Sequence, residues 1–269
     1  MLGSEISLAF PTLTEAVFVL GLFIAGVPIV YLLSKALKIR TTPITIEAPR
    51  KEAAFAIILS AALFVWAFVW WTLTLMFHLD PLQPKLDFTI VAWLAFFYSI
   101  GFLILIALMK STHQNLRTVG IDKKDMGRMI ALGLILGAIS LILWSIFAPY
   151  VGGNFAGFSS SLAYALILTI MVGFSEEIFF RGYIQTRLSA NHGRLKGLVF
   201  ASVLFAFWHL SADYYHAASG DVLVSLVWCS LRVPFSLLFG YIMLKTQNII
   251  PPALFHLFYD WATYVWGIS

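Results

Sequence analysis

The sequence FSEEIFFRGY at residues 174–183 places two adjacent carboxylates, Glu176 and Glu177, and the guanidinium of Arg181 inside an apolar run. Leu, Ile, Val and Phe flank these charges, so a solvated helix face does not explain them. An ionisable side chain at membrane depth costs at least ~2.5–3.5 kcal/mol on insertion scales. Three such side chains together therefore indicate a specific role inside a membrane.

The composition of the whole chain is that of a membrane protein. Its 269 residues are 61% hydrophobic and 11% charged, whereas a soluble domain carries about 25% charged residues. The net charge of +4 forms no dense Lys/Arg stripe, so no nucleic acid is expected as a partner. We predict an all-α fold, a polytopic transmembrane helical bundle in which residues 1–269 form a single membrane domain.

The apolar segments predict eight spans. They cover residues 15–37, 52–78, 88–109, 127–149, 161–188, 197–215, 222–245 and 250–267. The single cysteine, Cys229, lies in the seventh segment, which excludes an internal disulfide and a cysteine-based metal cluster.

The basic residues predict the orientation of these spans. With eight spans, fourteen of the 17 Lys and Arg residues fall on one side of the membrane. They are Lys35, Lys38, Arg40, Arg50, Lys51, Lys110, Arg117, Lys123, Lys124, Arg128, Arg187, Arg194, Lys196 and Lys245. The opposite loops carry Lys85 with Asp80, Asp87, Asp213 and Asp221. The positive-inside rule then predicts that the basic loops are cytoplasmic and that both termini lie outside.

The charges of span five differ in their helical positions. Glu177 and Arg181 are four residues apart and share a helix face, so we expect an ion pair. This pair either supports a reaction or locks span five to a neighbouring helix. Glu176 lies about 100° away around the helix and has no cation at i+4. It is therefore the candidate general base.

Two later spans carry polar groups at comparable depth. Span six contains His209 in FAFWHLSAD, and span eight contains His256 and Asp260 in FHLFYD. A rise of 1.5 Å per residue puts Glu176 and His209 each roughly 18 Å from the basic ends of their helices. We therefore predict one site, reachable from the cytoplasmic side, that combines these four residues.

Three further residues are candidates around this site. Arg232 lies mid-span beside Pro234, where it either binds an anionic substrate end, pairs with a site carboxylate, or is structural. Phe205 precedes His209 by one helical turn and is a second candidate for substrate binding. Asp213 either orients His209 or is solvated at the outer end of span six.

The ordered motifs resemble a known family. EExxxR (Glu176, Glu177, Arg181), FxxxH (Phe205, His209) and HxxxN/D (His256, Asp260) look like those of the CPBP intramembrane glutamate endopeptidases. This is the group of type II CAAX prenyl proteases, also called the ABI family. The resemblance covers residues 160–265, whereas spans one to four match only in being hydrophobic.

The resemblance implies an intramembrane endopeptidase that uses neither a metal nor another cofactor. Glu176 and His209 would activate a water, and Glu177 with Arg181 would support that pair. The substrate would be a membrane-associated peptide or protein, prenylated or not, cleaved near its C-terminus. In eukaryotic members the last three residues of a prenylated tetrapeptide are removed.

The resemblance also implies that His256 and residue 260 stabilise the oxyanion. The commoner residue at the last position is Asn, and this sequence has Asp260. An ionised Asp cannot donate to an oxyanion, so Asp260 is expected either to be protonated or to orient His256.

Two other functions fit the same residues. A zinc-dependent membrane protease would use Glu176, His209, His256 and Asp260 as ligands, although no HExxH is present. A non-proteolytic scaffold would hold a lipidated partner in the same cavity. The oligomeric state has no signature in the sequence.

Overall fold

The computed structural model describes residues 11–81 and 86–267, and within these ranges it consists of helices and turns without a strand. This confirms the predicted all-α membrane bundle. The long and short α-helices are α1 (Leu13–Ala36), α2 (Pro49–Met76), α3 (Phe88–Ser111), α4 (Met126–Phe147), α5 (Ser160–Glu177), α6 (Thr186–His192), α7 (Arg194–Trp208), α8 (Leu210–Tyr215), α9 (Val222–Thr246) and α10 (Ile250–Val265). Two 3₁₀ turns, Leu116–Val119 and Ala148–Val151, and a π-helical segment, Ile178–Gln185, complete the secondary structure of these ranges.

The connections α1–α2, α3–α4, α6–α7 and α9–α10 meet at one end of the bundle, which we call the basic end. The backbone N–H of Arg40 donates to Asp125 Oδ2 at 2.9 Å. The side chain of Asn248 donates to the carbonyl oxygen of Asp122, also at 2.9 Å. The fourteen basic residues of the sequence pattern therefore gather at this end.

The connections α4–α5 and α8–α9 and the last turn of α10 lie at the opposite end, which we call the distal end. Tyr264 Oη donates to the carbonyl oxygen of Pro81 at 3.1 Å. The backbone N–H of Ala156 donates to the carbonyl oxygen of Val265 at 2.9 Å. Lys85, which entered the orientation prediction, lies outside the described residues.

Within the described residues, seven helical segments are long and apolar enough to cross a membrane, one fewer than the eight predicted. The eighth, α10, has 16 residues and is about 24 Å long at 1.5 Å per residue. It nevertheless runs the length of the bundle, because Ile249 at its start donates to Gly120 at the basic end. Its last turn contacts Pro81 at the distal end.

The helix that carries the two glutamates changes its pitch directly after them. α5 ends at Glu177, and the π-helical segment begins at Ile178. Upstream, Gly173 lies against α10: a Cβ added there would be 2.9 Å from the backbone nitrogen of Leu257. Small residues let membrane helices approach this closely. This close packing brings the end of α5 next to His256.

Candidate active site

Glu176 is buried at the centre of the bundle, where two other helices hold its carboxylate. Its Oε1 accepts hydrogen bonds from Tyr98 Oη of α3 at 2.8 Å and from Trp208 Nε1 of α7 at 3.2 Å. Its Oε2 lies 3.8 Å from His209 Nε2 and 4.0 Å from His256 Nε2. This oxygen accepts no hydrogen bond from the described residues, so its lone pairs are not engaged by a donor.

His209 lies at the junction of α7 and α8, and its tautomer follows from its backbone contact. Nδ1 is 3.0 Å from the carbonyl oxygen of Phe205. A carbonyl oxygen only accepts, so Nδ1 carries the proton in this hydrogen bond. In the neutral imidazole Nε2 then presents its lone pair towards Glu176. One carboxylate oxygen and one imidazole nitrogen therefore face each other across a short gap.

The ion pair expected between Glu177 and Arg181 is present, and it is fully buried. Glu177 Oε1 lies 3.0 Å from Arg181 Nη1. Arg181 Nη2 also donates to Ser236 Oγ of α9 at 2.9 Å, and the guanidinium lies 4.1 Å from the centre of the Phe205 ring. The pair therefore connects span five to α7 and α9 as well as belonging to the site.

His256 of α10 is placed between two carboxylates. Its Nδ1 lies 3.0 Å from Glu177 Oε1, and its Nε2 lies 3.3 Å from Asp260 Oδ2. A protonated imidazole can donate from both nitrogens, so it can satisfy both contacts at once. The direct contact of Glu177 is therefore with His256, and not with the pair formed by Glu176 and His209.

A cavity of about 490 Å³ reaches this cluster. Glu176, His209, His256 and Asp260 line it together with aromatic side chains. The structure therefore places in one cavity the four side chains that depth counting predicted to share a site.

Arg232 and Phe205, the two candidate substrate contacts, also line the cavity. Arg232 Nη1 lies 2.8 Å from Asp213 Oδ2. Its ion-pair partner is therefore Asp213 and not one of the carboxylates around Glu176. Asp213 is buried rather than solvated. Its ion pair with Arg232 orients its carboxylate towards α9.

The cavity extends from the cluster towards the distal end. Its lining includes Glu15 in the first turn of α1, Phe147 at the end of α4 and Tyr264 in the last turn of α10. The sequence predicted that the basic loops are cytoplasmic and that the site is reached from the cytoplasm. Both stay predictions, and depth along a helix does not reveal towards which end a cavity opens.

Tyr98 and Trp208 were missed as site residues. Tyr98 belongs to an aromatic run in span three, and Trp208 directly precedes His209 in a motif read only for its histidine. An aromatic residue in a membrane helix is usually lipid-facing or interfacial. Only the packing of α3 and α7 against α5 singles these two out.

Among the described ranges, no group of three or more His, Cys, Asp and Glu side chains is arranged to hold a metal ion.

The comparison with protein families agrees with the motifs. Residues 158–262 match the family described as "Type II CAAX prenyl endopeptidase Rce1-like". No curated protein and no solved structure matched the chain. The matched segment begins just before α5 and ends within α10, so it contains the glutamates and both histidines of the site. Over residues 158–262 the chain is therefore similar to the Rce1-like, type II CAAX prenyl endopeptidase family, in agreement with the resemblance of its motifs.

Proposed function

We propose that this protein is an intramembrane endopeptidase in which Glu176 and His209 activate a water molecule. The observation that carries the proposal is the pair of facing atoms, Glu176 Oε2 and His209 Nε2, which lie 3.8 Å apart on two residues that line the cavity. A water oxygen at about 2.8 Å from both atoms fits this separation. Both groups can accept a proton from that water.

In the reaction, the water oxygen attacks the scissile carbonyl carbon while its proton passes to Glu176. The carbonyl π electrons move onto oxygen, and a tetrahedral intermediate forms. When the C–N bond breaks, the proton returns from Glu176 to the leaving amine. The products are a new amine and a new carboxylic acid, which then loses the second proton of the water to solvent, so Glu176 serves first as base and then as acid.

His256 is the proposed partner of the oxyanion. Glu177 holds its Nδ1 at 3.0 Å, and Asp260 lies 3.3 Å from its Nε2. The two carboxylates orient the ring, and the protonated ring is the form that stabilises negative charge. In this proposal Asp260 orients the ring of His256, and it does not have to donate a hydrogen bond to the oxyanion.

The proposed substrate is a membrane-associated peptide or protein that is cleaved near its C-terminus, with or without a prenyl group. The cavity wall can accommodate an apolar segment of the substrate, because Trp70, Leu94, Phe97 and Trp144 line it alongside the polar cluster. Arg232 also reaches the wall and is a candidate contact for an anionic end of the substrate.

The test is cleavage by the purified full chain, with Glu176→Gln as the decisive variant. Prenylated and unprenylated C-terminal peptides are each incubated with the protein, and the products are identified by mass spectrometry. Loss of the catalytic base is expected to lower kcat by roughly 10²–10⁴-fold. The matched control is Glu47→Gln, an exposed position in the α1–α2 connection, which is expected to retain full activity.

The same assay separates the other two functions. Activity that is lost on exhaustive chelation and restored by Zn²⁺ would replace this mechanism with a zinc-dependent one. Peptides that bind but are never cleaved, by either the parent chain or Glu176→Gln, would instead support a scaffold.

A further inference from the structure

The direction in which the cavity opens bears on where the substrate comes from. Building on the proposed function, we propose that the catalytic cavity opens to the non-cytoplasmic side of the membrane. The substrate is then a membrane-anchored peptide or protein whose cleavable segment is exposed on that side.

The first observation is the distribution of charge between the two ends. Fourteen of the 17 Lys and Arg residues lie at the basic end. Arg181 and Arg232 lie inside the bundle, where each pairs with a carboxylate. Loops rich in Lys and Arg stay on the cytoplasmic side during insertion. The basic end is therefore cytoplasmic, and the distal end faces the other compartment.

The second observation is that side chains close the route from the cluster to the basic end. Phe180, Tyr183 and Ile184, which follow the glutamates towards that end, are at most 1% exposed. Further along, Arg187 is buried against Glu52 of α2, with Nε 3.4 Å from Oε2. A peptide from the basic end would have to displace this packed layer.

The third observation is that the distal half of the bundle encloses the cavity. The residues that line it run from mid-helix positions, such as Tyr98 and Glu176, to residues near the helix ends, such as Glu15 and Thr263. A segment entering from the distal end reaches the cluster along this wall without crossing the packed layer. The substrate segment therefore lies outside the cytoplasm before cleavage.

Cysteine labelling tests the direction of the cavity without relying on catalysis. The full chain is produced in bacterial cells and treated with a membrane-impermeant maleimide. The parent chain supplies the baseline, because its single cysteine, Cys229, is buried. Three variants are compared: Ala156→Cys in the exposed α4–α5 connection, Thr263→Cys on the cavity wall, and Ala190→Cys, exposed at the basic end.

We expect Ala156→Cys and Thr263→Cys to be labelled in intact cells, and Ala190→Cys only after the membrane is permeabilised. Labelling of Ala190→Cys in intact cells, with Ala156→Cys and Thr263→Cys protected until permeabilisation, would overturn the proposal. Labelling of Ala156→Cys with Thr263→Cys protected even after permeabilisation would also overturn it, because the cavity would then not open at the distal end. Ala156 is a loop position, so a fold defect in Thr263→Cys does not remove the test of orientation.

An activity measurement then connects the cavity to the substrate. A peptide that does not cross membranes is added to intact cells that produce the parent chain or Glu176→Gln, and to purified protein in detergent. Cleavage by intact cells, lost in Glu176→Gln, is the expected result. Cleavage in detergent but not by intact cells would refute the proposed sidedness and leave the peptidase intact. An absence of cleavage in detergent would refute the proposed function itself, while the labelling would still report the direction of the cavity.

Discussion

The carboxylate of Glu176 is held in place by hydrogen bonds from residues that are far away in the sequence. Tyr98 and Trp208 both donate to Oε1, and the two imidazoles face Oε2. The two oxygens therefore have different surroundings, because one is held by two donors and the other faces the two imidazoles. In the proposed mechanism, a carboxylate anchored in this way meets the substrate in one orientation, which lowers the entropic cost of reaction.

Tyr98→Phe tests this anchoring at the scale of one hydrogen bond. A hydrogen bond to a charged group contributes about 1.5–3 kcal/mol, so we expect kcat to fall by roughly 10–100-fold with little change in KM. Steady-state kinetics on the cleaved peptide supplies the measurement. Tyr241→Phe, on α9 away from the site, is the control and should behave like the parent chain. An unchanged kcat in Tyr98→Phe would show that Trp208 alone suffices to anchor Glu176.

At the scale of elements, the contact between α5 and α10 determines whether the site assembles. Glu177 lies at the last turn of α5 and His256 lies in the first half of α10, and their side chains meet at 3.0 Å. Gly173, one turn before Glu177, allows the two backbones to approach. A Cβ at this position would lie 2.9 Å from the nitrogen of Leu257 and 3.0 Å from the oxygen of Ala253. Backbone atoms cannot move aside as a flexible side chain can.

Gly173→Ala is therefore expected to separate α5 from α10. Overpacking of this kind typically costs about 1–3 kcal/mol, and the contact between Glu177 and His256 should lengthen with it. We expect a lower Tm in detergent together with reduced peptide cleavage. Gly21→Ala is the matched control, because a Cβ there would have no neighbour within 4 Å. If both variants melted and cleaved like the parent, the close approach of the two helices would not be needed for the site.

At the scale of the whole molecule, the first four spans contribute to a site that the family match covers only over residues 158–262. Tyr98 of α3 reaches Glu176, and Glu52 of α2 meets Arg187 of α6 in a fully buried ion pair. Arg187 also donates to the carbonyl oxygen of Thr118 at 2.7 Å. The two halves of the chain are therefore joined both at the site and at the basic end.

Removing Glu52 should weaken this connection between the two halves of the chain. Glu52→Ala leaves the buried guanidinium of Arg187 without its carboxylate, a change that typically costs roughly 3–5 kcal/mol. We expect a clear drop in Tm in detergent, measured by thermal unfolding. Glu47→Ala, exposed in the α1–α2 connection just before α2, should change the free energy of unfolding by about 0.5 kcal/mol at most. Equal Tm values for the two variants would show that the buried ion pair of Glu52 and Arg187 does not stabilise the fold.

The sequence by itself determined the class of fold and the identity of most of the cluster. Hydrophobic run length predicts the number of spans because a helix must satisfy its own backbone hydrogen bonds in lipid. Helical geometry predicts the pair of Glu177 and Arg181, and it also predicts the similar depths of Glu176 and His209. These are local consequences of 3.6 residues per turn and 1.5 Å per residue.

Only the tertiary structure decided which helices surround the cluster. That Tyr98 donates to Glu176, that Arg232 pairs with Asp213, and that the cavity leads to the distal end all depend on how helices pack side by side. Depth along a helix is a one-dimensional quantity, so it is the same whichever neighbour a helix has. In the membrane the helices are all apolar, and the choice of neighbour depends on small residues such as Gly173 and on buried polar contacts.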